Sequence, residues 1–470
     1  MKPVWLALDV GTHAVRAALV DESGTLDSVF LEPVGLRRLD ARRVEQDPQA
    51  LLGALRKVID QALATDGVQV MGAGLACQRS TVVAWRRDEG AALGHALSWQ
   101  DTRGFAQVAD LAEQAPLVRA RSGLVLSPHY GASKLRWLQE HHGDVPDLCL
   151  SPLVTYLLHH LLQGGPCVCD ESNAGRTQLW NLRQRQWDEE LLQLFGVQQR
   201  YLPEVLPTLA EFGRLRQGGI PLRAVAGDQN AALMGTLPPD TRDALLANLG
   251  SGAFVLGFAD ADTAAPQALL EGLAYSSEQL MQPIWEGTVN GAGLALSWFA
   301  DQPEVTALGG EKYLLSQLPT WLADEDCCGT LFRNTIGGLG SPFWRSGVSP
   351  GFLPDGTGVA ARAVAVVESI GFLTAINVEL LRRAQPRTRR ILVTGGLARL
   401  AGLCQRLADL QQLPVARLAQ TEATLLGCAR LASRFAVPLA QMDDTLDNFQ
   451  PRENRGLLGR MTQFQDWLMA

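Results

Sequence analysis

Lysine is nearly missing from this chain. Lys2, Lys57, Lys134 and Lys312 are the whole set, and arginine carries the rest of the positive charge. With 41 Lys+Arg against 49 Asp+Glu the formal net charge is −8, and no basic block occurs. That balance argues against nucleic acid as the main partner. No run reaches the roughly 18 apolar residues of a membrane span, so no membrane contact is expected. The opening Met1-Lys2-Pro3-Val4-Trp5 leads into a strand with Asp9 inside the first ten positions, which does not read as a signal peptide. The eight cysteines are scattered. Cys167 and Cys169 are close and Cys327 and Cys328 adjacent, but no CxxC pair exists. A reduced, cytoplasmic protein with buried thiols is the expectation. His141-His142 and His159-His160 lack metal-ligand spacing and are expected at surface or cap positions. Two phosphate-handling signatures are also absent. There is no GxxxxGK[ST] loop and no HRD or DFG set, so any phosphate grip must rest on something else.

What is present is a short phrase stated twice. Asp9-Val10-Gly11-Thr12 lies near the start, and Asn248-Leu249-Gly250-Ser251-Gly252 lies just past the middle. Each follows one apolar run and precedes another. Each therefore reads as strand, tight glycine turn, strand. Glycine lets backbone approach a ligand closely, and successive N–H groups in such a turn can cradle an anion. Taken singly, either copy is also consistent with an ordinary hairpin. One copy per half suggests a duplicated fold that holds the phosphates of one nucleotide. A chain of 470 residues is too long for one core, so two large domains are expected.

The order of elements supports an α/β class. Strands are predicted over Val4–Asp9, Val15–Asp21, Leu26–Val34, Val68–Cys77 and Thr81–Trp85. A helix is predicted from Pro48 to Ala64, with Asp47 as N-cap and proline at its first position. A helix-rich stretch runs from about Asp101 to Leu202. Val225-Ala226-Gly227-Asp228-Gln229-Asn230 then leads into a small-residue helix, Ala231–Thr236. The second half restarts with strands Ala244–Asn248 and Ala253–Phe258. The glycine-rich segment Gly287–Gly293 opens a helix to about Ala300, and a long helix spans Val359–Arg383. The strand Ile391–Thr394 runs into Gly395-Gly396 and a helix to about Leu410. A last helix is placed over Glu422–Phe435. The boundary is placed at Leu237-Pro238-Pro239-Asp240, giving domains 1–238 and 239–436 and a C-terminal tail, 437–470, that packs on the fold.

Candidate chemistry then follows. Thr12 and Ser251 offer hydroxyls in the two turns. Asp9 ends a strand facing the first turn and could hold Mg²⁺ directly or through water, or could simply stabilise the turn. Asp228 ends an apolar strand at a helix start. It could cap that helix, or accept the proton of a substrate hydroxyl that attacks a γ-phosphate. At a helix N-terminus it is expected to stay ionised at neutral pH. Gly395-Gly396 would let a flat group such as adenine or ribose lie against backbone. Gln78-Arg79-Ser80 and Trp99-Gln100-Asp101-Thr102-Arg103 set polar groups beside a tryptophan, which suits a polyol and equally suits a surface salt-bridge cluster.

These pieces, in this order, resemble the FGGY carbohydrate kinases, within the larger group that shares the actin-like ATPase fold. The segments Glu45-Gln46-Asp47-Pro48, Ser122-Gly123-Leu124 to Lys134-Leu135-Arg136-Trp137, Asp170 to Thr177, Gly338 to Trp344 and Glu422-Ala423 extend the match over nearly the whole chain. The resemblance implies two actin-like (ribonuclease H-like) domains with a central cleft, sugar on the N-terminal side and ATP on the C-terminal side. Asp228 then matches the catalytic base, and Asp9 the residue near Mg²⁺. Gly11, Thr12, His13, Gly250, Ser251, Gly252, Gly293, Ser297, Gly395 and Gly396 match nucleotide positions. Gln78, Arg79, Ser80, Trp99, Asp101, His129, Asp228 and Gln229 match acceptor positions. Ser80 and His129 stand where glycerol kinases carry Glu and Tyr, which weighs against glycerol. Arg79-Ser80 replaces the Met-His pair of xylulose kinases. His13, Ala14 and Leu400 replace polar residues of relatives around the nucleotide.

The expectation is an ATP- and Mg²⁺-dependent kinase of a small sugar or polyol, with a C3–C5 polyol or ketose favoured. The alternatives are a catalytically decayed regulatory protein that binds sugar and nucleotide, and an ATPase of the chaperone or filament type. No nucleic-acid or membrane partner is expected, and a homodimer is compatible by symmetry alone.

Overall fold

Apolar residues from Val4 to Val10 and from Val15 to Val20 are almost all buried, which fits a hairpin sandwiched between two layers. A computed structural model describes residues 1–143, 145–239, 241–260, 263, 265–324, 328–345, 347–418, 422–439 and 445–469. It divides into two units. The first is Met1–Pro239 with Glu271–Pro283 and Glu422–Ala440; the second is Asp240–Leu270 with Ile284–Thr421 and Gln441–Ala470. The units are thus not contiguous in sequence. The segment around the helix Ala423–Ala432, assigned above to the C-terminal half, packs with the first unit. Asp240 of the expected boundary, Cys327 and residues 440–444 of the tail lie outside the described residues.

In the first unit the sheet runs, in spatial order, Gly213–Arg214, Pro221–Gly227, Val68–Cys77, Lys2–Val10, Ala14–Asp21, Leu26–Pro33. Lys2–Val10 is antiparallel to Ala14–Asp21 and parallel to Val68–Cys77, which is in turn parallel to Pro221–Gly227. The register aligns Val10 with Cys77 and Cys77 with Gly227. Three parallel strands therefore end at one level, and the residues just beyond them share one edge of the sheet. Ligands of open α/β sheets bind at such carboxyl ends.

The second unit repeats this scheme. Met281–Val289, Ala253–Phe258, Ala244–Leu249, Arg390–Thr394, Val415–Leu418 and Thr445–Phe449 are successive neighbours. The hairpin strand Ala244–Leu249 is again parallel to the next strand inward, with Asn248 opposite Thr394. The duplicated phrase in the sequence is thus one topology used twice.

Three expectations need correction. Gly287 to Val289 are strand, because they themselves pair with Val255, Phe254 and Ala253, and the helix starts only at Gly293. The small-residue helix begins at Asp228 itself and ends at Met234. One helix, Val359–Ala384, contains an 18-residue window of mean hydropathy 1.8, apolar enough to cross a membrane by composition. The helix itself is expected over Val359–Arg383, but not its apolar window, because Arg362 and Glu368 interrupt the run. Within the unit, 78% of that window is buried, so the helix reads as core.

The tail is integral to the second unit. Thr445–Phe449 adds an antiparallel edge strand to Val415–Leu418. The helix Arg455–Met469 buries Leu457, Phe464 and Leu468. Phe464 packs on Phe372 with ring centroids 5.3 Å apart.

Candidate functional site

In the first unit Asp9 and Arg16 face each other across the hairpin. The Arg16 guanidinium donates twice to Asp9 Oδ2, once from Nε at 3.1 Å and once from Nη2. Its Nη1 donates to Glu422 Oε2 at 2.5 Å. Asp9 is 2% exposed, and its Oδ1 has no hydrogen-bond partner. Burial pushes its carboxyl above the usual range, against the pull of Arg16. A buried carboxylate oxygen without a donor fits a hydrated cation beyond it. The guanidinium on the other oxygen favours a water-mediated over a direct ligand.

Asp228 stands where the strand Pro221–Gly227 ends and its helix begins. Its side chain is 26% exposed. Oδ1 lies 3.6 Å from Arg79 Nε and accepts from the Gln229 N–H at 2.8 Å, while Oδ2 accepts from Gln229 Nε2 at 3.1 Å. Desolvation raises its pKa, Arg79 lowers it, and Asp9 raises it again. The capping residue is Gly227, and Asp228 keeps its carboxylate for other partners.

Glycine at 227 has a steric reason. A Cβ there would come within 2.5 Å of Arg79 Cδ and 2.6 Å of Asn230 Oδ1. The Gly227 N–H donates to Ser172 Oγ at 2.8 Å, and that hydroxyl donates to the buried carboxylate of Asp170. Asp170 also accepts from Ser172 N at 2.8 Å and Asn173 Nδ2 at 2.6 Å. Sequence reasoning noted Asp170 to Thr177 as a motif without seeing this support for the backbone before Asp228.

Two acceptor candidates turn out to be internal. Asp101 is fully buried and accepts from Val44 N at 2.8 Å and from the Arg103 guanidinium, which also reaches Glu45 at 2.6 Å. It shapes the loop and has no capacity left for a substrate. Gln78, 2% exposed, donates to Gln46 Oε1 at 2.9 Å and accepts from Thr81 Oγ1 at 3.2 Å, so it too is scaffold. Both read as site residues in sequence because polar residues at strand ends serve either use.

The other acceptor candidates lie in loops that hydrogen-bond to one another beside that edge. Trp99 is half-buried and donates from Nε1 to Thr12 Oγ1 at 3.0 Å, which orients the Thr12 hydroxyl. His129 is half-buried, with Nδ1 3.4 Å from the Trp99 carbonyl. Ser80 has a left-handed backbone, φ 64°, and donates to the Arg176 carbonyl at 3.4 Å. The first turn closes with the Gly11 N–H on the Ala14 carbonyl at 3.0 Å, and His13 is exposed.

The second unit builds the matching turn. The Gly250 N–H donates to the Gly252 carbonyl at 2.9 Å. The carbonyls of Gly250 and Ser251 accept from Gly293 N at 2.9 Å and Leu294 N at 3.0 Å, which joins the turn to the helix Gly293–Ala300. Ser297 is half-buried on that helix. Gly395 has φ 90°, and a Cβ would meet the Leu249 carbonyl at 2.5 Å. A Cβ on Gly396 would meet nothing within 4 Å. The two glycines differ: the first is required by the backbone, and the second leaves open space. Thr394 Oγ1 donates to Asn248 Oδ1 at 3.3 Å, linking the two strand ends. No group of three His, Cys, Asp or Glu suited to a metal occurs among the described residues.

Residues 4–235 match the model of the FGGY family of carbohydrate kinases, N-terminal domain, and residues 245–436 match its C-terminal domain. The glycerol kinase of Geobacter sp. (strain M21) is 33% identical over 449 residues, covering 91% of this chain and 89% of the relative. The glycerol kinase of Thermus brockianus is 33% identical over 444 residues, covering 90% and 88%. Among solved structures, Plasmodium falciparum glycerol kinase with ADP superposes with a TM-score of 0.82 at 21% identity, covering 99% of this chain and 97% of that one. Gluconate kinase from Lactobacillus acidophilus gives 0.81 at 20%, covering 100% and 96%.

Proposed function

We propose roles for individual residues in a chain that belongs to the FGGY family of carbohydrate kinases and is thereby a phosphotransferase with an alcohol group as acceptor. The acceptor is a small sugar or polyol, of the C3–C5 polyol or ketose class. The observation that carries the residue assignment is the shared sheet edge. Asp9, Arg79 and Asp228 emerge from strands that end at one level, with a half-buried Trp99 and His129 joined to the same loops.

Asp228 takes the proton of the acceptor hydroxyl as that oxygen attacks the γ-phosphorus of ATP. The bond from phosphorus to the β–γ bridging oxygen breaks, and ADP leaves. Such transfer is mostly positioning and charge neutralisation, with one base. Arg79 keeps Asp228 ionised and orients it. The hydroxyls of Thr12 and Ser251 and the N–H groups of Thr12-His13 and Ser251-Gly252 bind phosphate oxygens, while the Gly11 and Gly250 N–H groups close the turns. Gly293, Ser297, Gly395 and Gly396 receive the nucleoside. Asp9, through its unpartnered Oδ1, would hold Mg²⁺, which would supply charge neutralisation on the phosphates.

Relatives named glycerol kinase make glycerol the first compound to test. Ser80 and His129 point to an acceptor other than glycerol. The test is ADP release with ATP and Mg²⁺ across polyols, ketoses and aldoses. One strong responder establishes the acceptor. Silence across the panel with ATP bound would overturn the kinase reading in favour of sensing.

A further inference from the structure

Lys134 is fully buried, and the mechanism above does not use it. It sits in the first turn of the helix Gly131–His142, where the helix dipole disfavours a cation. A buried ammonium is costly unless every proton is engaged. Its three hydrogen bonds go to backbone carbonyls and none to a carboxylate: Ser80 at 2.6 Å, His129 at 2.8 Å and Ser98 at 3.0 Å. These carbonyls come from three separate stretches of chain. The first stretch carries Arg79 and Ser80, the second leads into Trp99, and the third contains His129. The shortest bond goes to Ser80, whose left-handed backbone costs energy for any L side chain. An ammonium has three donors and no acceptor, so it can pin three carbonyls at once; an amide or hydroxyl cannot. Burial lowers its pKa to about 7, with Asp101 favouring the ammonium and Arg103 opposing it.

We propose that Lys134 is a positioning residue for the acceptor, a single ammonium that fixes the spacing of the three backbone segments bearing Arg79–Ser80, Trp99 and His129. This rests on the acceptor-site reading above. A side chain that merely filled space would not need three carbonyls from three loops.

The test is Lys134→Met, which keeps the volume and removes the donors. Amide hydrogen exchange is followed in peptides covering 78–82, 97–101 and 127–131. Exchange should accelerate about tenfold or more in all three together, while the hairpin 4–20 and the second unit stay unchanged. Acceleration in one stretch or none would overturn the proposal. The kinetic arm uses whichever of glycerol, erythritol and D-xylulose the wild type phosphorylates. The acceptor KM should rise about tenfold or more, with the ATP KM within about twofold. A parallel rise in both would also overturn it. If the wild type phosphorylates none of the three, the acceptor reading fails, while the exchange arm still decides the role of Lys134. Should the variant not fold, lysine-¹⁵N labelling of the wild type replaces it. Lys2, Lys57 and Lys312 are exposed, so one protected ammonium signal is expected. That signal should move on saturation with the phosphorylated acceptor and not with ADP. A signal indifferent to the acceptor would overturn the proposal.

Discussion

A carboxylate can act as a base only while ionised, and at Asp228 burial and Arg79 pull in opposite directions. The acid limb of kcat/KM should therefore report a group titrating above the ordinary carboxylate value of 3.8. Activity is lost as pH falls through that value. Arg79→Met removes the charge that lowers the pKa, so the limb should move to higher pH; a limb that stays put or moves down would separate Arg79 from Asp228. Asp228→Ala should abolish transfer, by at least about 10³-fold, and leave ATP binding intact by calorimetry. Retained activity would remove Asp228 from the mechanism. At this scale the sequence placed Asp9 and Asp228 at strand ends, where the structure has them, and left each with two uses open. Asp101 and Gln78 read as acceptor contacts and are scaffold, because only the fold shows whose N–H groups a polar side chain meets.

Among elements, the helices Asp228–Met234 and Ala423–Ala432 of the first unit pack backbone against backbone. A Cβ on Gly427 would fall 1.8 Å from the Ala231 carbonyl oxygen, and one on Gly235 would fall 1.9 Å from that of Ala423. Backbone has no way to yield there as a flexible side chain does. Gly427→Ala should destabilise by about 1–3 kcal/mol or more, seen as a fall in melting temperature. It should also displace the helix that begins with Asp228, so kcat should fall with it. Ordinary stability with full activity would show that the crossing is looser than described. By contrast Gly396→Ala is sterically open and should leave stability unchanged. The strands and the long helix were legible from apolar runs and caps. The strand Met281–Val289 was not, because its end at Gly287 read as part of the glycine-rich segment that opens a helix, and sheet pairing decides otherwise.

For the molecule as a whole, the C-terminal tail decides how the second unit closes. Phe464→Ala should cost about 3–5 kcal/mol, the usual price of an emptied aromatic site, read from denaturant unfolding. Glu368, 1% exposed, holds Arg406 at 3.0 Å and the tail's Arg460 at 2.6 Å. Ending the chain at Pro438 would remove Arg460, the edge strand Thr445–Phe449 and three core side chains together. The second unit should then unfold at lower temperature than the first in calorimetry. A single unchanged transition would show the tail to be dispensable.

The sequence by itself determined the duplicated strand–glycine–strand scheme and the α/β class, because local turn chemistry and apolar periodicity are written residue by residue, and its ordered motifs carried the resemblance to the kinase family. Only the tertiary structure decided that residues 422–439 pack with the first unit, that Asp101 and Gln78 face inward, and that Lys134 ties Ser80, Ser98 and His129 together. Those facts depend on which distant backbone groups meet one side chain. A single sequence does not encode that meeting locally, since the partners lie tens to hundreds of residues apart and are joined by packing.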